Sequence, residues 1–421
     1  MTYKNRFKNK PLLAIFFTVF MDLIGFGILM PIIPILLVDT QSSFYVLPAS
    51  FTIAQGYILL GFLLAVFPIC QFFTAPILGQ MSDKFGRKKL LIIALAGACL
   101  SFIIFAFGVL TKSLPIMFFS RMLSGLTGGS ISIAMAAIAD ITKPENRAKG
   151  FGLIGLAFGL GSIIGPFIGG KFSDPSIVSW FNSSTPFWFA AILSLVNVLM
   201  VAYLLPETHL NKRLDLKINW NKALNNIFNV YGLRGFRAVF GTLFLFDIGF
   251  TFYATFLSVF LLNRFGFHQG EIADFFAYTG IWIIITQTVI INKISSLFKD
   301  YQVIRITPLI MGLCLLLYTF ATAPWQLFLI APFFIISMGL TRAFINSLIS
   351  RSAGPEVQGE VLGTSSSISF LGQSIPPILS GFIAASIAPQ APLYTASVMI
   401  ISAGLAFILL YKAPRKQVII K

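Results

Sequence analysis

The feature that most constrains this chain is a repeated run of long apolar stretches. We count twelve, and about 20 apolar residues in a helix are needed to cross the hydrocarbon of a bilayer. The chain is 57% hydrophobic and only 10% charged, too little charge for a soluble protein of this length. We therefore predict an all-α polytopic membrane protein with twelve transmembrane helices. Spans 1 to 12 are predicted at 12–37, 56–78, 90–110, 115–138, 150–170, 186–205, 236–262, 272–294, 303–321, 325–349, 361–385 and 392–411.

Charge sets the expected orientation in the bilayer. The chain has 30 Lys and Arg against 14 Asp and Glu, a net charge of +16. Most of the basic residues lie in alternate connections, which the positive-inside rule assigns to the cytoplasm together with both termini. We expect a multi-pass protein of the cell inner membrane, surrounded by lipid. No basic face with interleaved aromatic residues is present, so nucleic acid is not an expected partner.

Several chemical functions are disfavoured by the residues present. Cys70, Cys99 and Cys314 all lie in apolar spans without metal-ligand spacing. There is no His/Cys/Asp cluster, Walker loop or nucleophile elbow. We therefore expect no metal, no cofactor and no enzymatic activity.

The chain divides near its middle. Residues 206–235 form a polar and basic connection, longer than any other. We predict an N-terminal six-helix half at 1–205, a cytoplasmic linker at 206–235 and a C-terminal six-helix half at 236–421.

The two halves share a weak internal repeat. PENRAKGFG from Pro144 aligns with PEVQGEVLG from Pro355, and the same offset pairs Pro166 with Pro377 and Gly170 with Gly381. Duplicated bundles with a substrate site between the halves are typical of secondary transporters.

The connection between spans 2 and 3 reads GQMSDKFGRKKLL, Gly79 to Leu91. Its Gly-x-x-x-Asp-x-x-Gly-Arg-Lys pattern resembles the signature loop of the major facilitator superfamily. Other segments resemble motifs of the same superfamily: Gly25 with Pro31 and Pro34, Arg121 to Gly125, GLAFGLGSIIGPFIGG from Gly155 to Gly170, Ala139 to Gly152, and PET from Pro206 to Thr208.

This resemblance implies the major facilitator fold, with twelve transmembrane helices in two six-helix halves. The motif set is most similar to the 12-helix drug:proton antiporters of the tetracycline-exporter type. It implies a monomeric secondary transporter whose partners are protons and a small amphipathic compound, which it exports. The alternative is a proton-coupled importer of a nutrient or siderophore. The exporters' His in span 8 and Asp in span 9 align with Ile283 and Met311, which implies different coupling and a different substrate.

Charged residues inside spans are costly and normally functional. Two acids, Asp22 and Asp247, lie mid-span, where a carboxyl group can load and release a proton. Arg121 in span 4 could help to expel that proton. We predict proton coupling at these three residues, with a structural hydrogen bond or ion pair as the alternative for each acid.

The candidate substrate cavity is built around Arg342 of span 10, which lies too deep to reach the membrane surface and needs a partner. Asn346 follows one turn later on the same face. Tyr253 and Trp282 are the aromatic candidates because their polar atoms need partners. The alternative for the many aromatic residues is a lipid-facing position.

The candidate cytoplasmic gate is the loop between spans 2 and 3. Asp83 is expected to accept hydrogen bonds from the start of span 11, whose dipole is positive there. Arg87 is expected to pair with Asp140. The alternative is a set of solvated charges with little net energy. The complete predicted gate is Gly79, Asp83, Gly86, Arg87, Asp140 and Arg147.

Overall fold

The structure is a computed structural model that describes residues 10–142, 147–209, 215, 218–229, 236–352 and 358–411. Every regular element in those residues is helical. The first half contains α1 (Lys10–Val38), α2 (Ile53–Phe85), α3 (Arg87–Leu110), α4 (Leu114–Thr127), α5 (Ser130–Ile141), α6 (Arg147–Phe172) and α7 (Thr185–Leu204). After the linker helix α8 (Lys222–Asn229), the second half contains α9 (Arg237–Phe265), α10 (Gln269–Ile285), α11 (Ile291–Leu297), α12 (Asp300–Phe320), α13 (Pro324–Ser352), α14 (Gln358–Ser374), α15 (Pro376–Ser386) and α16 (Ala391–Leu410).

These helices account for the predicted spans. Within the described residues, 11 helical stretches are long and apolar enough to cross a membrane. The helix α6, 26 residues long, takes the place of predicted span 5. Fold class and span count therefore agree with the sequence prediction.

Three spans are not single straight helices, which the apolar pattern did not predict. Span 4 is divided into α4 and α5, and span 11 into α14 and α15. Span 8 consists of α10, a π-helical segment at Thr286–Ile290, and α11. Discontinuous helices at membrane depth are typical of transporter binding sites.

Each half packs mainly on itself, and α8 touches both. In the first half α1 packs on α6 and α7, and in the second α9 packs on α16. The linker helix α8 lies against both α2 and α14. Its Asn226, 2% exposed, donates to Ser367 Oγ at 3.0 Å.

The apolar core differs between the two ends of the bundle. We call the end with the α2–α3 connection the basic end and the opposite end the far end. One continuous cluster fills the far end, with members from both halves such as Ile32, Leu60 and Phe256. At the basic end there are two clusters, one confined to the first half and one to the second. The halves are thus joined at the far end and separate toward the basic end.

Close helix contacts explain the joined far end. A Cβ built on Gly170 of α6 would lie 2.4 Å from the Cβ of Ala273 in α10, and one on Gly381 of α15 would lie 2.6 Å from the Tyr57 carbonyl oxygen in α2. Only glycine permits such approaches. Gly170 and Gly381 are one of the pairs of the sequence repeat, and they occupy corresponding contacts between the halves. Pro144 and Pro355, where the repeat was recognised, lie outside the described residues.

Candidate functional site

Asp22 of α1 lies beside the break in span 4. The backbone leaves helical geometry at Gly128 and Gly129, and α5 restarts at Ser130. Side chains from α2 bind carbonyl groups near the break: Gln71 Nε2 donates to Gly128 O at 2.7 Å and Thr74 Oγ1 to Gly125 O at 2.9 Å. Because these carbonyl groups keep hydrogen-bond partners, the helix break is tolerable within a bilayer.

The restart brings Ser130 to the Asp22 carboxylate. Ser130 Oγ donates to Asp22 Oδ2, at the N-terminal end of α5, where the helix dipole is positive. No Lys or Arg in the described residues forms an ion pair with Asp22. Its turn of α1 is held by Asn197 of α7, whose Nδ2 donates to Thr18 O at 3.1 Å. The result is a half-buried carboxyl held by one hydroxyl group, and its predicted role in proton coupling stays a prediction.

Arg121 of α4 forms no ion pair with either mid-span acid among the described residues. It is 4% exposed, and its Cζ lies 4.7 Å from the centre of the Phe67 ring, in a cation–π contact. Its Nε is buried without a hydrogen-bond partner among the described residues. In this conformation Arg121 is not an ion-pair partner of Asp22 or Asp247, so its predicted coupling role stays a prediction.

Asp247 and Arg342 form an ion pair where α9, α13 and α14 meet. Arg342 Nη1 donates to Asp247 Oδ1, and Nη2 lies 3.4 Å from Ser369 Oγ. The Asp247 side chain is 4% exposed and the Arg342 side chain 39%. Gly372 lets α14 approach, since a Cβ there would lie 3.0 Å from Asp247 Cβ. Of the two mid-span acids, it is Asp247 and not Asp22 that supplies the partner that Arg342 was expected to need.

The other predicted cavity residues differ in how exposed their side chains are. Asn346 is exposed and Trp282 half-buried. Tyr253 is 6% exposed and packs at 4.5 Å between ring centres on Phe334. In this conformation Tyr253 belongs to the far-end core rather than to an open surface.

Arg87 is the centre of the basic-end site. Its guanidinium binds Asp83 at 2.5 Å and Asp140 at 3.1 Å, and Nη1 donates to Ser82 Oγ. Its backbone N donates to Glu207 Oε1 at 2.9 Å, so an acid caps the N-terminus of α3. His209 Nδ1 lies 3.6 Å from Asp140. The predicted Arg87–Asp140 pair is present.

The two predicted gate glycines have different roles. Gly86 joins α2 to α3 with φ 104°, a conformation that side chains other than glycine disfavour. A Cβ on Gly79 would meet nothing within 4 Å, so close packing in this conformation does not require glycine there. The side chain of Arg147 and those of residues 358–360, at the start of α14, lie outside the described residues. The predicted contact of Asp83 with the start of span 11 therefore stays a prediction.

Sequence reasoning missed four site residues: Ser130, Ser82, Glu207 and His209. The Gly-Gly-Ser sequence at 128–130 was a usable signal for a helix break. The Pro-Glu-Thr motif at 206–208 was noticed, but its glutamate was given no role. Ser82 and His209 carry no local signal, because their partners come from other parts of the chain. In the described part of the chain, no group of three or more His, Cys, Asp and Glu could hold a metal ion.

Comparisons with known proteins agree with this architecture. The family model of the Major Facilitator Superfamily matches residues 15–377 and, in a second match, 239–419. The chain is 30% identical over 378 residues to the class H tetracycline resistance protein of Pasteurella multocida, covering 89% of each chain. It is 27% identical to multidrug resistance protein 2 of Bacillus subtilis, covering 93% of this chain and 92% of that one.

A solved structure gives the same fold. The D-xylose–proton symporter superposes with a TM-score of 0.76 at 16% identity, covering 96% of this chain and 98% of that one. The resemblance to tetracycline-type exporters inferred from the motifs is thereby confirmed. With a matching family model across most of its length and relatives of nearly equal extent, this chain belongs to the major facilitator superfamily.

Proposed function

We propose that this protein is a secondary transporter that exports a small amphipathic compound from the cytoplasm in exchange for protons. The basic end faces the cytoplasm, both termini lie there, and the protein acts as a monomer in the inner membrane. Relatives named for tetracycline and multidrug resistance support export rather than import.

The observation on which the proposal rests is the Asp22 carboxyl. It is half-buried at the level where the far-end core ends, since Leu23 belongs to the basic-end cluster and Ile24 to the shared one. No described cation neutralises it. A proton and a substrate group can therefore compete for it, and such competition is the basis of antiport.

The two ends of the bundle differ in how the halves are joined, and this difference supports alternating access. The far end is closed by the shared core and by Lys171 of α6, whose Nζ lies 2.9 Å from Asp274 Oδ1 in α10. Opening that end requires these contacts to part. The Arg87 network belongs to one half, and it holds the basic end of that half rigid while the halves rock.

Everted vesicles test the proposal. Substrates drawn from tetracycline, norfloxacin and ethidium should accumulate when respiration acidifies the interior, and adding them should release protons from the vesicles. The Asp22→Asn protein, present at equal amount, is the control and should do neither. Accumulation that instead requires a proton gradient of opposite sign would indicate import by symport and contradict the proposal.

A further inference from the structure

The π-helical segment Thr286–Ile290 in span 8 has no role in the site described above. π segments inside α-helices are uncommon and occur frequently at functional sites. This one is anchored on one side by Thr286, whose Oγ1 donates to Trp282 O at 2.6 Å. A Cβ on Gly339 of α13 would lie 2.7 Å from Thr286 Cγ2, so the segment packs tightly on α13.

Gln287 is the polar residue that this segment turns toward the other half. The helices α6 and α10 touch at Gly280 with Ile163, and one turn further at Ile283 with Gly159. Gln287 lies four residues beyond Ile283, and the π segment that carries it also contacts α6. Val289, 58% exposed, marks the opposite, lipid-facing side. Gln287 therefore lies where the first and second halves begin to separate.

Gln287 also lies at the same depth as the two mid-span acids. Ile283 packs on the shared far-end core, and Ile290 packs on the basic-end cluster of the second half. The same change occurs between Leu243 and Phe246 of α9, directly before Asp247. Asp22, Asp247 and Gln287 thus form one polar layer beneath the closed far end.

The amide of Gln287 is half-buried and forms no hydrogen bond with any described residue. An unpaired amide in hydrocarbon is unfavourable by several kcal/mol. Its position toward the opening between the halves instead gives it access to water or to a bound molecule.

We propose that Gln287 is a substrate-binding residue that recognises a neutral hydrogen-bonding group, such as a ring carbonyl, hydroxyl or amide. A primary amide both donates and accepts, and it is uncharged, so it contributes to selectivity and not to proton exchange. This inference rests on the proposed export function and names a chemical feature of its substrates.

Accessibility tests the position of Gln287. In a variant whose three native cysteines are replaced by serine, Gln287→Cys should react with a membrane-impermeant maleimide applied to everted vesicles. Val289→Cys, two residues away on the lipid side, is the matched control and should react at least about tenfold more slowly. Equal rates at the two positions would overturn the inference.

Selectivity tests the role of Gln287. Tetracycline is rich in carbonyl and hydroxyl groups, whereas tetraphenylphosphonium has no hydrogen-bonding group. Gln287→Leu should raise the ratio of the KM for tetracycline to the KM for tetraphenylphosphonium about three- to tenfold, the effect of one lost hydrogen bond. Val289→Leu should leave this ratio at the wild-type value, and Gln287→Leu vesicles should still release protons when tetraphenylphosphonium is added.

The two possible failures are distinguishable. A wild-type protein that exports neither compound contradicts the proposed function and, with it, this inference. An active exporter whose Gln287→Leu variant keeps the wild-type selectivity contradicts the inference alone.

Discussion

The two halves of the molecule hold their mid-span carboxylates with different kinds of side chain. Each has one mid-span carboxylate. In the first half Asp22 is bound by a hydroxyl group from a restarted helix, whereas in the second half Asp247 is bound by the guanidinium of Arg342. The charge of Asp247 is thus balanced by a cation, whereas no described cation is paired with Asp22. We therefore predict that Asp22 is the exchanging group and that the Asp247–Arg342 pair is mainly structural, although proton coupling was expected at both acids.

The same contrast recurs at the basic end. In the first half Arg87, which begins α3, binds Asp140 near the end of α5. In the second half Asp300, which begins α12, accepts from Ser347 Oγ at 2.8 Å and lies 3.7 Å from Arg351 near the end of α13. The corresponding connection of the second half reads NKISSLFKDY from Asn292 and lacks the loop motif, yet a charge-reversed and weaker pair occupies the corresponding place.

The largest expected effect distinguishes the two acids. Asp22→Asn should reduce uphill transport to passive equilibration, because asparagine keeps the shape but cannot titrate. Asp247→Asn should retain measurable uphill transport, since the Arg342 side chain left unpaired is 39% exposed. Substrate accumulation under an imposed pH gradient, normalised to protein in the membrane, measures both. Loss of uphill transport in Asp247→Asn but not in Asp22→Asn would contradict the assignment of proton exchange to Asp22.

Removing the guanidinium of Arg342 should lower the stability of the protein more than it impairs proton coupling. Arg342→Ala leaves the Asp247 carboxylate buried and unpaired, a loss of about 3–5 kcal/mol. The double variant Asp247→Asn with Arg342→Gln should recover most of it. Thermal unfolding in detergent is the measurement. If the double variant is no more stable than Arg342→Ala, the pair is not primarily structural. Arg342→Lys should recover only part, because it lacks the planar fork.

Removing Arg87 at the basic end of the first half should affect transport more than removing Arg351 in the second half. Arg87→Ala removes contacts to Asp83, Asp140 and Ser82 and should lower transport severalfold, with greater thiol labelling of cysteines introduced at the basic end. Asp83→Asn should act likewise but less, since it removes one contact. Arg351→Ala should change both by less than twofold, because this side chain is 72% exposed and such pairs contribute about 0–1 kcal/mol. Equal effects of Arg87→Ala and Arg351→Ala would remove the asymmetry between the halves.

The smallest effect concerns the two hydroxyl groups. Ser130→Ala removes the one described side-chain donor to Asp22 and should lower the transport rate about two- to tenfold, the range expected for one hydrogen bond. Ser369→Ala removes a 3.4 Å contact of Arg342, which keeps its ion pair with Asp247, and should change the rate little. Initial rates of dye export in whole cells suffice to rank them. An unchanged transport rate in Ser130→Ala would indicate that Asp22 is positioned by the helix break and not by the Ser130 hydroxyl.

Much of the basic-end site was predictable from local sequence. Arg87 was predicted to pair with Asp140 and does so, it follows Asp83 by four residues across the α2–α3 connection, and the glycine between α2 and α3 is required by its positive φ. Glu207 and His209 were not predicted, because the acid that caps α3 lies 120 residues further along the chain.

The central site was predictable only as a set of candidates. Asp22, Asp247 and Arg342 were identified because each charge interrupts an apolar span. Their pairing could not be derived, since Arg342 and Asp247 are 95 residues apart and Ser130 and Asp22 are 108 apart. Trp282 and Tyr253 had equal standing in the sequence, and packing on Phe334 placed Tyr253 in the closed core.

The sequence by itself determined the class of this protein, the number of its spans and its division into halves. It did so because bilayer thickness imposes a length and a polarity on every crossing segment, whatever its neighbours are. The tertiary structure decided where spans break, which acid is neutralised and which end is closed. Those outcomes depend on contacts between helices distant in the chain, and no local pattern of residues specifies them.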